Sequence, residues 1–384
     1  MTRLYGFGDP AEQAAMVLDR VRVDAFARAI AATVRPGDVV LDIGSGTGVL
    51  ALLAARAGAR KVYAVERTGA IELVRLHARA NGKADAIVPI AADLADVDAL
   101  PERPRVVVAE LLGHFAPAEQ AHRAYRLARR LAADGAVLVP AGYRLVFAAA
   151  RPRALEAELA ALADVHGLHL DALAARLRAR VAITRLAPED LVGPEMPGDA
   201  HASDDELPGS YSGTAPVAVD GPVTAIAVSF VATLADGIEL SSAVGAAATH
   251  WAQTVFPIDP PIDARAGDVL TVAIWPRIAA DRGTWAWRVD GPHSTRPGDA
   301  MDALVGDRHD LVAQLGLRRR GAIPTPPRLA AWAAMLGGAL GATVDAEALA
   351  ATLVAAMPAR YPDLAEARQE ARTLLRAIDR AGDR

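Results

Sequence analysis

Three glycines at alternate positions, Gly44, Gly46 and Gly48, follow directly on the apolar run Val39-Val40-Leu41-Asp42-Ile43, with Ser45 inside the turn and Val49-Leu50-Ala51-Leu52-Leu53 after it. Glycine lets the main chain approach a ligand closely, and the helix start that follows offers free N–H groups. The spacing is G-x-G-x-G and not the G-x-G-x-x-G of dinucleotide folds, and no Lys-Ser/Thr pair follows, so a cofactor without a pyrophosphate is expected. Glu66 closes the next apolar run, 18 residues after Gly48. A nucleotide-binding unit places the carboxylate that takes both ribose hydroxyls near this distance. Asp93 and Glu110 close two further runs, so four acids, Asp42 included, are expected along one edge.

The elements that must carry these residues alternate. Strands are expected over 38–43, 61–66, 86–91 and 105–109, with helices over 49–57, 70–81 and 118–133 between or after them. This is the pattern of a parallel sheet that binds ligand at its carboxyl edge. Ala11 to Thr33 reads as one helix, with Met16, Asp19 and Arg22 roughly on one face. Residues 152–181 are helical and broken at His166-Gly167, and 193–212 form a Pro/Gly/Asp-rich loop. From Val217 to Val289 runs rich in Val, Ile, Thr and Trp between turn residues predict a sandwich or barrel. Beyond Pro297 the chain is helical again, with segments at 329–342, 346–357 and 364–378.

Composition sets the limits. At 384 residues, 23% charged and 52% hydrophobic, the chain is globular and large enough for two or three domains. A formal charge of −5 gives no reason to expect nucleic acid. The absence of cysteine excludes disulfides and thiolate metal sites, and the histidines show no metal-ligand spacing. Met1 to Gly8 has no apolar core of the signal-peptide kind, and the longest apolar stretch, Ala330 to Val344, is too short for a bilayer. A cytoplasmic protein with no membrane partner is expected.

Four separated motifs carry a resemblance. Glu110-Leu111-Leu112-Gly113-His114-Phe115-Ala116-Pro117-Ala118-Glu119 resembles the double-glutamate loop of the protein arginine methyltransferases. Thr249-His250-Trp251 is similar to that family's Thr-His-Trp loop, Met16-x-x-Asp19-x-x-Arg22 to its N-terminal helix, and the glycine turn to its cofactor motif. The resemblance covers roughly residues 5–290. It implies a Rossmann-like class I methyltransferase domain over 33–145 behind an N-terminal helical segment 1–32. A β-barrel substrate domain would follow over 146–294, with a helical dimerisation arm at 152–185, and a helical C-terminal domain over 295–384.

The cofactor implied is S-adenosyl-L-methionine, leaving as S-adenosyl-L-homocysteine. By the same resemblance the Gly44 to Gly48 turn packs on its methionine and ribose part, with Met16, Asp42 and Ser45 in the same site. Glu66 takes the ribose hydroxyls, Arg22 the cofactor carboxylate, and Asp93 or Leu94 the adenine. Glu110, Glu119 and His250 are the implied catalytic set, and Thr249, Trp251, Tyr5 and Phe7 line the substrate. The partners implied are an arginine-containing peptide or protein and a second copy of the chain as a homodimer. The chemistry is coherent: a guanidinium, with a pKa above about 12 and no free lone pair, is a poor nucleophile. Two carboxylates gripping its N–H groups localise charge there and aim the remaining nitrogen at a sulfonium methyl.

Each residue also has a plainer role. Glu110 alone is a solvated strand end, Glu119 a helix-start acid, Asp19 and Arg22 a surface pair, and Trp251 a core aromatic. The loop departs from the family's Glu-Trp-Met-Gly-Tyr at Leu111, Leu112 and His114. Leu-Leu-Gly resembles the symmetric-dimethylating branch while Met16 and Thr249 follow the others, so the product type stays open. The helical tail resembles small winged-helix-like modules of bacterial peptide-modification pathways, which lends the chain a bacterial cast. Two alternatives stand beside the main expectation: methylation of free arginine or another small guanidino metabolite, and a non-catalytic scaffold that binds peptides.

Overall fold

The computed structural model describes residues 10–116, 121–206, 208–276 and 285–299. Tyr5, Phe7, Glu119 and the three expected C-terminal helices lie outside the described residues.

The chain opens with α1 (Pro10–Leu18) and α2 (Arg20–Thr33). One helix was the expectation; Asp19 divides it, because its side chain turns back to accept from the Arg22 main-chain N–H at 3.0 Å and caps α2. In an Ala-rich stretch nothing in the periodicity marks that break. Arg22, Ala25, Phe26, Ala29 and Ile30 form the buried stripe of α2.

The first sheet is built from β1 (Val39–Ile43), α3 (Val49–Arg56), β2 (Lys61–Glu66), α4 (Ile71–Ala80), β3 (Ile87–Ala91), β4 (Val106–Ala109), α5 (Ala121–Leu131) and β5 (Val137–Val139). Its five strands are parallel in the order β3-β2-β1-β4-β5. Covered on both faces, its strands are continuous apolar runs, and β1 and β4 are buried at every position. Because the strands are parallel, the residues at their C-terminal ends, Glu66 in β2 and Glu110 just after β4, come to one edge. Asp93 follows β3 by two residues.

The second half contains β6 (Gly142–Ala150), α6 (Arg153–Ala161), α7 (Asp171–Arg178), β7 (Ala182–Thr184), β8 (Met196–Ala202), β9 (Tyr211–Pro216), β10 (Gly221–Ala235), β11 (Ile238–Ser241), β12 (Gln253–Ala264), β13 (Val269–Pro276), β14 (Trp285–Gly291) and β15 (Ser294–Asp299). Two antiparallel sheets result: β7-β12-β10-β6-β8 with β11 on β10, and β15-β14-β13-β9. Their inner faces share a core of Phe147, Phe230, Phe256, Leu270 and Trp287. The parallel sheet followed by this antiparallel pair is the architecture expected from the sequence.

Two strands escape a pattern-based reading. The stretch 193–212, expected as loop, holds β8; as an edge strand it tolerates Pro197, and a Cβ at Gly198 would come within 2.8 Å of the Phe147 ring. In β12, Pro260 and Pro261 fall where pairing with β10 shifts register, between Pro257 and Ile262, so no ladder donor is lost there.

Candidate active site

The glycine turn is left-handed at all three glycines: φ is 66° at Gly44, 51° at Gly46 and 82° at Gly48. Gly44 and Ser45 donate to the Val65 carbonyl at 2.9 and 3.2 Å, and the Ser45 hydroxyl donates to the Asp42 carbonyl at 3.1 Å. Space adds to conformation: a Cβ at Gly46 would displace the end of the Gln13 side chain of α1, and one at Gly48 would press on Val74. Beneath the turn Asp42 is 1% exposed, with the Ser45 hydroxyl and the Ala51 main-chain N–H as its neighbouring donors. Burial pushes its pKa up to about 7, and the neighbouring Glu66 charge adds to the rise.

Glu66 accepts from Gly46 N–H at 3.0 Å on one oxygen and from Thr68 N–H at 2.7 Å on the other. The strand-end acid is thus fixed against the turn, with a second lone pair on each oxygen. Asp93 caps the short 3₁₀ turn Leu94–Asp96 by accepting from Ala95 N–H at 3.0 Å, and Leu94 is buried.

Glu110 is engaged by the chain's own Arg22. Arg22 Nε donates to Glu110 Oε2 at 2.8 Å and Nη2 lies 2.6 Å from the same oxygen as an ion pair, and both side chains are 7% exposed. Leu112 N–H donates to Glu110 Oε1 at 3.1 Å, and Arg22 Nη1 donates to the Met16 carbonyl at 2.8 Å. Among the described residues the carboxylate accepts from Arg22 Nε and Leu112 N–H, and the guanidinium donates through Nε and Nη1. Among the described residues the pair therefore keeps both acceptor and donor capacity for further groups.

His250 meets the N-terminal segment. Asp19 Oδ2 accepts from the His250 main-chain N–H at 2.7 Å and lies 2.8 Å from Nδ1. Burial pulls the Asp19 pKa upward, but donors from Arg22 and His250 together with the imidazole charge outweigh it, and the carboxyl is held below its ordinary value. Two contacts to one carboxylate oxygen fix the orientation of the imidazole and leave its Nε2 side away from Asp19.

Trp251 and Thr249 are both buried. The Trp251 indole N–H donates to the Leu112 carbonyl at 2.8 Å, and Ala252 N–H donates to His114 Nδ1 at 3.0 Å. Arg185, just after β7, donates to the Thr249 and Trp251 carbonyls at 2.5 and 3.1 Å. These contacts lock the loop of His250 to the loop of Glu110. Burial, with the His250 charge second, draws the His114 pKa down, so this ring stands neutral as the acceptor.

The structure thus brings Met16, Arg22, Glu110 and His250 into one cluster beside Gly44, Gly46 and Glu66. Asp19 and Arg185 hold it together, and neither stood among the expected site residues. The signal for Asp19 lay in the sequence, as an N-cap residue directly before Arg20-Val21-Arg22; Arg185 had none.

The TRM5/TYW2 methyltransferase domain matches residues 19–137. Protein arginine N-methyltransferase PRMT10 from Oryza sativa subsp. japonica is 47% identical over 105 residues, 27% of this chain and 27% of that protein, so the match spans about a quarter of the relative's length. Among solved structures, the Trypanosoma brucei PRMT1 enzyme-prozyme heterotetrameric complex with AdoHcy superposes with a TM-score of 0.70 at 21% identity, covering 76% of this chain and 98% of that one. Arabidopsis thaliana protein arginine methyltransferase 10, in an open conformation, gives 0.64 at 22% identity and covers 77% and 99%. Plant and trypanosome proteins do not support the bacterial cast read from the sequence. The chain has the fold of these arginine methyltransferase structures, and about a quarter of its length is similar in sequence to the rice PRMT10 protein.

Proposed function

We propose that this chain is an S-adenosyl-L-methionine-dependent N-methyltransferase that acts on the guanidino group of arginine in a peptide or protein. The observation that carries the proposal is Glu110, a carboxylate nine-tenths buried beside the glycine turn, already receiving a guanidinium from Arg22 and keeping acceptor capacity among the described residues.

The residues present fit the cofactor. Gly44, Gly46 and Gly48 all stand at positive φ, where a side chain is strained, and Asp42 below the turn is a buried acid. The main chain of the turn would lie along the methionine and ribose part, the spare lone pairs of Glu66 would take ribose hydroxyls, and the remaining donors of Arg22 would take the carboxylate. Asp93 and Leu94 would flank the adenine. When bound, the cofactor supplies a sulfonium methyl: the S–CH₃ bond breaks as the N–CH₃ bond forms, and sulfur keeps the electron pair.

The chain's own residues orient the nitrogen. Glu110 Oε1 would accept one substrate N–H, and Glu119, nine residues on in the same loop, would supply the second carboxylate. Such a grip leaves one nitrogen aimed at the methyl and its charge held elsewhere. The displaced proton passes to a clamp carboxylate or to His250 Nε2, with Asp19 steadying the imidazole through Nδ1. Homodimer formation through α6 and α7 is part of the proposal and is supported by Leu168 and Leu173, which are 63% and 47% exposed there.

A second substrate, free arginine or a similar small guanidino compound, is favoured by Leu111 and His114 standing in the loop where bulkier residues are the family's rule. Labelled cofactor offered with arginine-containing peptides and with free arginine separates the two: label on peptide supports the first, label on free arginine alone supports the second.

A further inference from the structure

Three consecutive residues of the glycine turn are each held by the unit that β2 and α4 form. Gly46 N–H donates to the Glu66 carboxylate at the end of β2 at 3.0 Å. The Thr47 carbonyl lies 2.8 Å from His77 Nδ1 of α4. A carbonyl oxygen has no proton to give, so Nδ1 is the donor. Gly48 lies against Val74, where a Cβ would come within 3.2 Å of the valine side chain and 3.3 Å of its Cα. Val74 and His77 are three residues apart and so are neighbours on one face of α4. The entry to that helix is tied back to Glu66 as well, through Thr68 N–H on the Glu66 carboxylate at 2.7 Å and Ala70 N–H on the Thr68 hydroxyl at 3.2 Å.

The hydrogen-bond ladder of α3 begins at the Gly48 carbonyl, which accepts from Leu52 N–H at 2.9 Å, so the Thr47 carbonyl stands one residue outside it. Gly46 and Gly48 on either side have left-handed φ and bring no side chain to steady the peptide planes between them. A donor on the Thr47 carbonyl does so instead. His77 is half-buried, on the side of α4 that carries Val74 and Ala78, where leucine would be the better helix former. What histidine adds there is the donor.

We propose that His77 is a positioning residue for the cofactor: it holds the Thr47 carbonyl and so fixes the peptide planes between Gly46 and Gly48, along which the methionine and ribose part would lie. With Glu66 and Val74 it makes α4 the element that sets the turn against the acid for the ribose hydroxyls. The inference rests on the reading of the turn as the S-adenosyl-L-methionine site and is independent of the methyl acceptor.

The test compares, in the full chain, His77→Leu, which removes the donor, with His77→Asn, whose Nδ2 stands as far along the side chain as the imidazole Nδ1. Binding of S-adenosyl-L-homocysteine by calorimetry should weaken about three- to tenfold in His77→Leu, the worth of one hydrogen bond, and return to within about twofold of wild type in His77→Asn. Helix propensity ranks leucine above asparagine, so a rescue by asparagine cannot come from a steadier helix. On an arginine peptide the cofactor KM should rise in His77→Leu while the peptide KM, and kcat at saturating cofactor, stay at the wild-type values. Wild-type affinity in His77→Leu, or equal losses in both variants, would overturn the assignment. A wild-type chain that binds S-adenosyl-L-homocysteine but methylates no guanidino compound defeats the methyl-transfer reading and leaves this one standing; one that binds none defeats both.

Discussion

Asp19 and His250 lie 231 residues apart in sequence and meet twice, through the main-chain N–H of His250 at 2.7 Å and its Nδ1 at 2.8 Å, both on Asp19 Oδ2. The other oxygen of the same carboxylate caps α2. One side chain therefore starts the helix that presents Arg22 to Glu110 and orients the His250 imidazole.

Substituting Asp19 separates these two tasks. Asn still caps a helix, so Asp19→Asn should lose the imidazole pairing alone, while Asp19→Ala should lose the cap as well, about 1 kcal/mol more in chemical denaturation. Methyl transfer should fall at least about tenfold in both. The folded pKa of Asp19 is lowered, so its contribution is complete above its ordinary value of 3.8 and is lost as pH falls through the folded value. The stability gap between wild type and Asp19→Asn should accordingly close in acid below that pH, and a constant gap would contradict the pairing.

Arg22→Met should be among the most damaging single changes in the first domain. It leaves the Glu110 carboxylate buried without its counter-charge, a loss of about 3–5 kcal/mol in a urea titration. Adding Glu110→Gln removes the stranded charge, so the double variant should recover a large part of that stability. Strict additivity would mean that the pair is not coupled.

The site elements were legible in the sequence for a physical reason. Buried parallel strands need unbroken apolar runs, and the acids that end them at Glu66 and Glu110 stand out against Val and Ala. The division at Asp19 was hidden because alanine fits any helix face. Strands β8 and β12 were hidden because their prolines and glycines are tolerated only at an edge and at a register shift, features that exist only once the sheet is assembled. Arg22 on Glu110, Arg185 on the His250 loop and His122 on Tyr143 join residues far apart in the chain, and no local pattern announces them.

Gly46→Ala should act on both strain and space. A left-handed alanine costs about 1–2 kcal/mol, and its Cβ would meet Gln13 at 2.5 Å. Cofactor affinity by calorimetry should drop about tenfold or more. Shortening the neighbour in Gly46→Ala/Gln13→Ala should return part of the thermal stability and not all of it, since the strain at φ 51° persists.

Asp42 gives the cofactor-free protein a distinct pH dependence. Its folded pKa, raised by burial to about 7 from an ordinary 3.8, means that the folded state binds its proton more tightly than the unfolded one. Its protonated form is fully favourable below pH 3.8, and stability is lost as pH rises from there through about 7. Asp42→Asn cannot ionise, so its melting temperature should gain on wild type between pH 5 and pH 8, by roughly several degrees. A pH-independent difference would show that Asp42 is ionised in the fold.

The central claim is that Glu110 grips the guanidinium that receives the methyl. Its most direct test is Glu110→Gln with labelled cofactor and an arginine peptide, read beside cofactor binding by calorimetry. Methyl transfer should be abolished while cofactor affinity stays within about threefold of wild type. Undiminished turnover by Glu110→Gln would contradict the account.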